Sequence, residues 1–125
     1  MKMGNIKLAS VTIDSSDFRG LSEFYMKLLG GQVAMEFGEF GVAVSIPGTE
    51  IQLNFVNSED YVLPVWPEEP GKPQQMEHLD FVVDDLDAAV KLASELGAHK
   101  APRQFIDELI VMIDPAGHPF CLIPK

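Results

Sequence analysis

Apolar and polar residues along this chain follow a strand-like and then a helix-like pattern, and this order appears twice. Residues 6–13 alternate loosely and end in Val-Thr-Ile, which predicts a strand. Asp17 then precedes apolar residues at helical spacing, and Gly30 with Gly31 supplies a left-handed stop, so an amphipathic helix is predicted. Three short apolar segments follow and predict an antiparallel meander, near residues 32–37, 41–46 and 50–56.

A Pro-rich segment, residues 63–75, separates this pattern from its second occurrence. Its four prolines exclude a helix or a central strand, so it is predicted to be a linker. Residues 77–83 then predict a strand, and Asp85 caps a second amphipathic helix that ends at Gly97. A weakly marked strand at 98–106 precedes a final hairpin, whose strands at 108–113 and 119–123 flank the turn at 114–117.

The two halves of the chain align at one offset. Matching Ser10 with His78 also matches Asp17 with Asp85, both 68 residues apart, which indicates an internal duplication. Two unrelated βα units are the alternative, and either way the fold class is α+β. We expect a single domain over 1–125, with modules at 6–62 and 76–125 joined by the linker.

Composition and charge narrow the classes of partner. A hydrophobic fraction of 46% is typical of a globular domain, and a formal charge of −10 argues against nucleic acid as a partner. That charge serves solubility or attracts a cationic ligand. Because no apolar run resembles a signal peptide or a membrane span, and the chain has one cysteine, we expect a cytoplasmic protein with no membrane partner.

Specific strings in both halves resemble a known superfamily. DSSDFRGLSEFYMKLLGG is similar to the first helix, and QQMEHLDFVVDDLDAAVKLASELGA with DPAGHPFCLI to the second module, of the vicinal oxygen chelate superfamily of glyoxalases, bleomycin-resistance proteins and extradiol dioxygenases. The resemblance implies two tandem βαβββ modules that form a partly closed mixed sheet or barrel around a cavity. It also implies a small-molecule ligand and assembly as a homodimer.

Metal-using members of that superfamily bind the ion with four inward-facing side chains, typically His, Glu, His and Glu. The resemblance puts these positions on Ser10, Gln52, His78 and Cys121, so only His78 keeps a usual ligand type. We therefore expect no cofactor. A divalent metal bound through His78 is the alternative.

His78 is the candidate catalytic residue. By strand alternation it shares a face with Asp80, which would tune the imidazole as a base or ligand, whereas a structural histidine is the alternative interpretation. Cys121 lies between Phe120 and Leu122 without a basic neighbour in sequence, which favours a small buried residue over a nucleophile. His99 and His118 are expected to be structural.

Further candidates for ligand binding are Ser10, Gln52, Asn54, Trp66, Asp80 and Cys121. Gln52 and Asn54 share a face by alternation, and their amides can orient a ligand. Trp66 lies among prolines, where it would close over a site or pack against a second chain.

Three functions agree with these features. The first is binding of a small organic molecule, with a lyase or isomerase activity in which His78 is the acid/base. The second is sequestration of a cationic compound without chemistry, as in proteins of the bleomycin-resistance type. The third is a degenerate interaction module, which would neither bind nor convert a small molecule.

Overall fold

The computed structural model describes residues 6–125, which form two βαβββ modules, each with a four-stranded sheet. The first contains β1 (Ser10–Ser15), α1 (Phe18–Leu29), β2 (Gln32–Glu36), β3 (Gly41–Ser45) and β4 (Gln52–Asn57). The second contains β5 (Leu79–Val83), α2 (Leu86–Glu95), β6 (His99–Lys100), β7 (Ile110–Ile113) and β8 (Pro119–Pro124). The predicted α+β class and tandem modules are confirmed.

The chain divides into two compact units between Glu59 and Asp60, so the Pro-rich segment belongs to the second unit. Neither helix among the described residues is long and apolar enough to cross a bilayer. We expected no signal peptide at the start of the sequence. Residues 1–5 of that stretch lie outside the described residues.

Both sheets have the same topology. The strand orders are β1-β4-β3-β2 and β5-β8-β7-β6, and in each sheet the first strand pairs parallel with the last while the other pairs are antiparallel. A parallel pair needs a long connection, and here the helix and two strands supply it. This shared order is what a duplicated unit predicts.

Helix α1 covers one face of the first sheet. Its N-cap Asp17 accepts a hydrogen bond of 3.0 Å from the Gly20 amide, and Gly30 ends the helix at φ 74°. Tyr25 stacks on Phe55 of β4 with ring centroids 5.5 Å apart. Because side chains alternate along a strand, the opposite face of β4 carries Gln52 and Asn54.

The second unit repeats this arrangement. Asp85 accepts a hydrogen bond of 3.1 Å from the Ala88 amide and caps α2, which contacts β8 and β6. Phe81 and Phe120 meet on the covered face of the sheet, with centroids 5.8 Å apart. The opposite face of β5 and β8 therefore carries Asp80 and Cys121.

The bounds of all eight strands differ from the predicted ones, and three of the differences are described here. β1 begins at Ser10 because its ladder with β4 begins there, opposite Gln52. β5 begins at Leu79, so His78 lies just before the strand. Its ladder with β8 starts at the pair Leu79 and Phe120, and the preceding residue of β8 is Pro119, which has no N–H to donate. The strand predicted at 98–106 is formed only at His99–Lys100.

A side chain replaces the missing part of that strand. The Gln104 amide nitrogen donates to the carbonyls of Ala101 and Val111 at 2.9 and 3.0 Å, and its oxygen accepts from the Val111 amide at 2.8 Å. Gln104 thus pairs with β7 as a backbone would, and it fixes the segment that carries Phe105.

Replacing Gln104 should destabilise the second unit. Gln104→Glu keeps the size and the acceptor but loses both donors, and a carboxylate then faces two carbonyls. We expect Gln104→Glu and Gln104→Ala each to lower the free energy of unfolding by about 1–3 kcal/mol in urea titrations. Gln32→Ala, at an exposed position on edge strand β2, is the control and should change stability by less than about 0.5 kcal/mol. Equal midpoints for all variants would contradict this role.

Candidate functional site on the second sheet

Three side chains converge on the face of the second sheet opposite α2. The parallel register of β5 and β8 sets Asp80 beside Cys121, and His78 lies two residues before Asp80. The Nε2 atom of His78 is 3.2 Å from Oδ1 of Asp80. One ligand atom from each of the three side chains lies within 4.8 Å of the other two. The predicted proximity of His78 and Asp80 is present, and Cys121 joins them.

These three side chains differ in their access to solvent. Those of His78 and Asp80 are 41% and 51% exposed, whereas Cys121 is 7% exposed. The site thus combines an accessible polar pair with a buried thiol.

Burial, the negative charge of Asp80 and a hydrogen bond to that carboxylate, in this order of importance, together raise the pKa of the Cys121 thiol to about 11. The thiol is therefore protonated at neutral pH and donates to Asp80. This agrees with the expectation of a small buried residue rather than a thiolate nucleophile.

Apolar side chains surround the thiol. Cys121 packs with three buried residues, Ala101, Val111 and Ile113. Three partly buried residues pack against this cluster, namely Trp66, Leu109 and Ile123. The residues of β7 and its preceding loop were not among the predicted site residues. Side chains alternate along β7, so its residues on the face of Cys121 could have been identified from the sequence. That would have required the register of β7 with β8.

Trp66 lies in this apolar cluster, so it belongs to the same face as Cys121. Its indole Nε1 atom is buried and has no hydrogen-bond partner among residues 6–125. The ring makes an edge-to-face contact with Phe105 at 6.4 Å between centroids, and Arg103 lies 5.2 Å from the centre of the Phe105 ring. An unpaired buried N–H costs about 1–3 kcal/mol, which a ligand acceptor atom can recover.

The Pro-rich segment that carries Trp66 contacts the turn before β8 near both of its ends. At one end Tyr61 donates its hydroxyl proton to the Ala116 carbonyl, and its oxygen lies 3.2 Å from Nε2 of His118. At the other end Gln75 Oε1 lies 3.1 Å from Nδ1 of His118. His118 thus contacts polar side chains through both ring nitrogens at the turn, an arrangement compatible with the expected structural histidine.

The first unit groups its predicted site residues separately. Ser10 pairs with Gln52 in the parallel ladder, and the Asn54 amide is 3.2 Å from Oγ of Ser10 and 3.3 Å from Oγ1 of Thr12. These polar side chains share the face opposite α1, as alternation predicts. Thr12 was missed, although it alternates with Ser10.

The reactivity of Cys121 tests this description. At pH 8 a thiol with a pKa of about 11 is about 0.1% thiolate, against roughly a quarter for an exposed cysteine. Iodoacetamide labelling, followed by mass spectrometry in EDTA, should therefore be slow at pH 8 and rise with pH beyond 10. Asp80→Asn removes the charge and should increase the rate at pH 8 several-fold.

Asp87→Asn, at an exposed position on α2, is the control for this experiment and should label like the unmodified protein. Burial alone would also slow labelling, but burial does not predict an effect of Asp80→Asn. Equal rates in both variants would contradict the coupling between Asp80 and the thiol.

Comparison with known proteins adds independent information on the fold. Three similar solved structures are a FosX variant from Listeria monocytogenes, the antibiotic-binding protein TnmS3 from Streptomyces sp. CB03234, and a glyoxalase/bleomycin resistance protein/dioxygenase family enzyme from Burkholderia phytofirmans PsJN. The FosX variant, a fosfomycin resistance protein, is complexed with Mn(II) and 1S,2S-dihydroxypropylphosphonic acid.

All three share the fold over nearly their full lengths. FosX is 15% identical with a TM-score of 0.68, covering 97% of this chain and 90% of its own. TnmS3 is 19% identical with a TM-score of 0.67, covering 99% of both chains. The Burkholderia protein is 18% identical with a TM-score of 0.69, covering 95% of this chain and 98% of its own.

Among curated proteins, none matches this sequence. The profile of one protein family, described as the glyoxalase-like domain, matches residues 10–123 and thus spans both modules. With the duplicated βαβββ topology, this match confirms the predicted superfamily, and the chain belongs to the glyoxalase-like domain family.

Proposed function

We propose that this chain binds a small organic molecule on the open face of its second sheet, beside His78, Asp80 and Cys121. The observation that carries the proposal is a half-exposed polar pair next to an apolar surface that includes Trp66. Ligand sites typically combine such an apolar surface with a few convergent polar groups. The unpaired Trp66 N–H adds a donor for a ligand oxygen or nitrogen.

His78 is the group best suited to acid/base chemistry here. A proton on Nε2 is donated to Asp80, and the neutral ring then presents Nδ1 as an acceptor. Asp80 also stabilises the imidazolium that forms when Nδ1 takes a proton from a ligand. This arrangement supports a lyase or isomerase activity as part of the proposal, with Asp80 as the positioning residue.

Sequestration of a cationic compound is the second candidate. Its support is the formal charge of −10 and the fold shared with TnmS3, an antibiotic-binding protein. The same apolar surface would hold the compound, and His78 would contribute only polar contact.

The Mn(II) of the solved FosX complex raises the question of a metal in this chain. Two positions that correspond to family ligands are Ser10 and Gln52, a hydroxyl and a neutral amide, and the Ser10 Oγ already contacts Asn54. Manganese prefers oxygen donors such as carboxylates, whereas Cys121 offers sulfur. These residues do not fit a manganese site, so no step proposed here uses that ion.

Homodimer formation in the cytoplasm is part of the same proposal. Its support is a set of exposed apolar side chains, including Phe40 at 80% and Val82 at 67% exposure. Exposed apolar surface is typical of association sites. The lone cysteine suits a reducing compartment.

Trp66 provides a direct test of binding, because it is the single tryptophan of the chain. A panel of small molecules that includes bleomycin and fosfomycin should contain compounds that change its fluorescence saturably. Binding should weaken at least about tenfold in Val111→Asp, which puts a charge into the apolar cluster. A urea titration checks that this variant folds. No saturable change with any compound would contradict the proposal and favour an interaction module.

Replacing His78 separates the two candidate functions. For a compound that binds and is converted, His78→Ala should lower turnover at least about a hundredfold and leave affinity within a few-fold. His99→Ala, at an exposed histidine of β6, is the control and should retain activity. Product formation is followed by NMR. Tight binding of a cationic compound without product would support sequestration, and full activity in His78→Ala would contradict the acid/base role.

A further inference from the structure

A groove in the first unit has no part in the function proposed above. It lies between α1 and the β2–β3 hairpin and has a volume of about 360 Å³, which is within the usual range for small-ligand sites. Val42 of β3 lines it and is the register partner of Phe55, on which Tyr25 of α1 stacks. The groove is therefore on the α1 side of the first sheet, opposite the face that carries Asn54. It shares no residue with the site around His78.

A β-bulge determines which side chains of β2 face this groove. The register of β2 with β3 has one extra residue on β2, and the pairs around it are Val33 with Val44, Met35 with Ala43 and Glu36 with Val42. Because cross-strand partners share a face, Glu36 lies on the same side of the sheet as Val33. In an unbroken ladder Met35 would pair with Val42 instead. The bulge thus puts a carboxylate where a regular strand would put an apolar side chain.

Two opposite charges line the groove from different walls. Arg19 extends from α1 and Glu36 from β2. Among residues 6–125, neither side chain has an ion-pair or hydrogen-bond partner. Glu23, also at the groove, is already paired with Lys27 at 2.6 Å. The described part of the groove therefore presents a guanidinium and a carboxylate that do not contact each other.

An apolar floor lies beside the guanidinium. The Arg19 guanidinium carbon is 4.9 Å from the centre of the Phe18 ring, a cation–π distance. Phe18 and Val42 are buried, and Met26 and Val33 complete the apolar surface. A ligand with an apolar part can bury that part here and keep its charged groups near solvent.

We propose that this groove binds a free α-amino acid with an apolar side chain. The ligand carboxylate pairs with Arg19, its ammonium pairs with Glu36, and its side chain lies on the apolar floor. A simple anion would be repelled by Glu36 and by the formal charge of −10, and a simple cation would be repelled by Arg19. A zwitterion avoids both repulsions.

Three probes with one carbon skeleton test this assignment. Leucine carries both charges, 4-methylpentanoate lacks the ammonium, and 3-methylbutylamine lacks the carboxylate. Each is titrated into ¹⁵N-labelled protein at neutral pH and low ionic strength, and amide shifts are followed by NMR. We expect leucine to shift the amides of Val33, Gly38 and Gly41 saturably and to bind at least about fivefold more tightly than either analogue.

Removing either charge should change which probes are distinguished. Arg19→Gln removes the partner of the carboxylate, so leucine should lose at least about fivefold in affinity and bind no better than 3-methylbutylamine. Glu36→Gln removes the partner of the ammonium, so leucine should bind no better than 4-methylpentanoate. A merely structural role of these side chains would not produce this opposite loss of discrimination.

The control variants are Lys7→Gln and Glu50→Gln. Both change exposed charges of the first unit that do not line the groove. They should keep all three affinities within about twofold of the unmodified protein, because exposed charges away from a ligand contribute little. The amide spectrum of each variant checks that it folds.

Three results would overturn the proposal: no saturable shift with leucine, equal affinities for leucine and its two analogues, or unchanged leucine affinity in both Arg19→Gln and Glu36→Gln. Groove shifts that follow protein concentration rather than probe concentration would also overturn it, because a second copy of the chain would then cover the groove. Trp66 belongs to the second unit, so its fluorescence tests the function proposed above separately.

Discussion

The parallel pairing of β5 with β8 is the constraint on which the candidate site depends. Its register sets Asp80 opposite Cys121 on one face and Phe81 near Phe120 on the other. A slip of β5 by one residue would bury the Asp80 carboxylate on the covered face and turn Phe81 to the open face. Burial of the aromatic face therefore also fixes the positions of the polar groups on the open face.

Much of this arrangement could be predicted from local sequence. Asp17 and Asp85 act as N-caps, and Gly30 ends α1 in a left-handed conformation, because these features depend on neighbouring residues only. The grouping of His78 with Asp80 followed from strand alternation. The duplication also predicted that both sheets would share one topology.

Other features depend on contacts between distant residues and could not be predicted in this way. The strand expected at 98–106 is short because Gln104 pairs with β7 through its side chain, which no propensity indicates. Cys121 lacks a basic neighbour in sequence, yet burial, and then Asp80 from across the ladder, raise the pKa of its thiol. The position of Trp66 depends on the contacts of Tyr61 and Gln75 with the turn that holds His118.

Asp80 connects the other two polar side chains on this face. Its carboxylate faces both the imidazole of His78 and the thiol of Cys121, and after burial it is the second cause that keeps the thiol protonated. The proposed donation from His78 Nε2 to Asp80 leaves Nδ1 as the acceptor of the neutral ring, so acid/base use of His78 would take place at Nδ1. Replacement of Asp80 would therefore affect both the histidine and the thiol, whereas replacement of His78 would leave the contact between Asp80 and Cys121 in place.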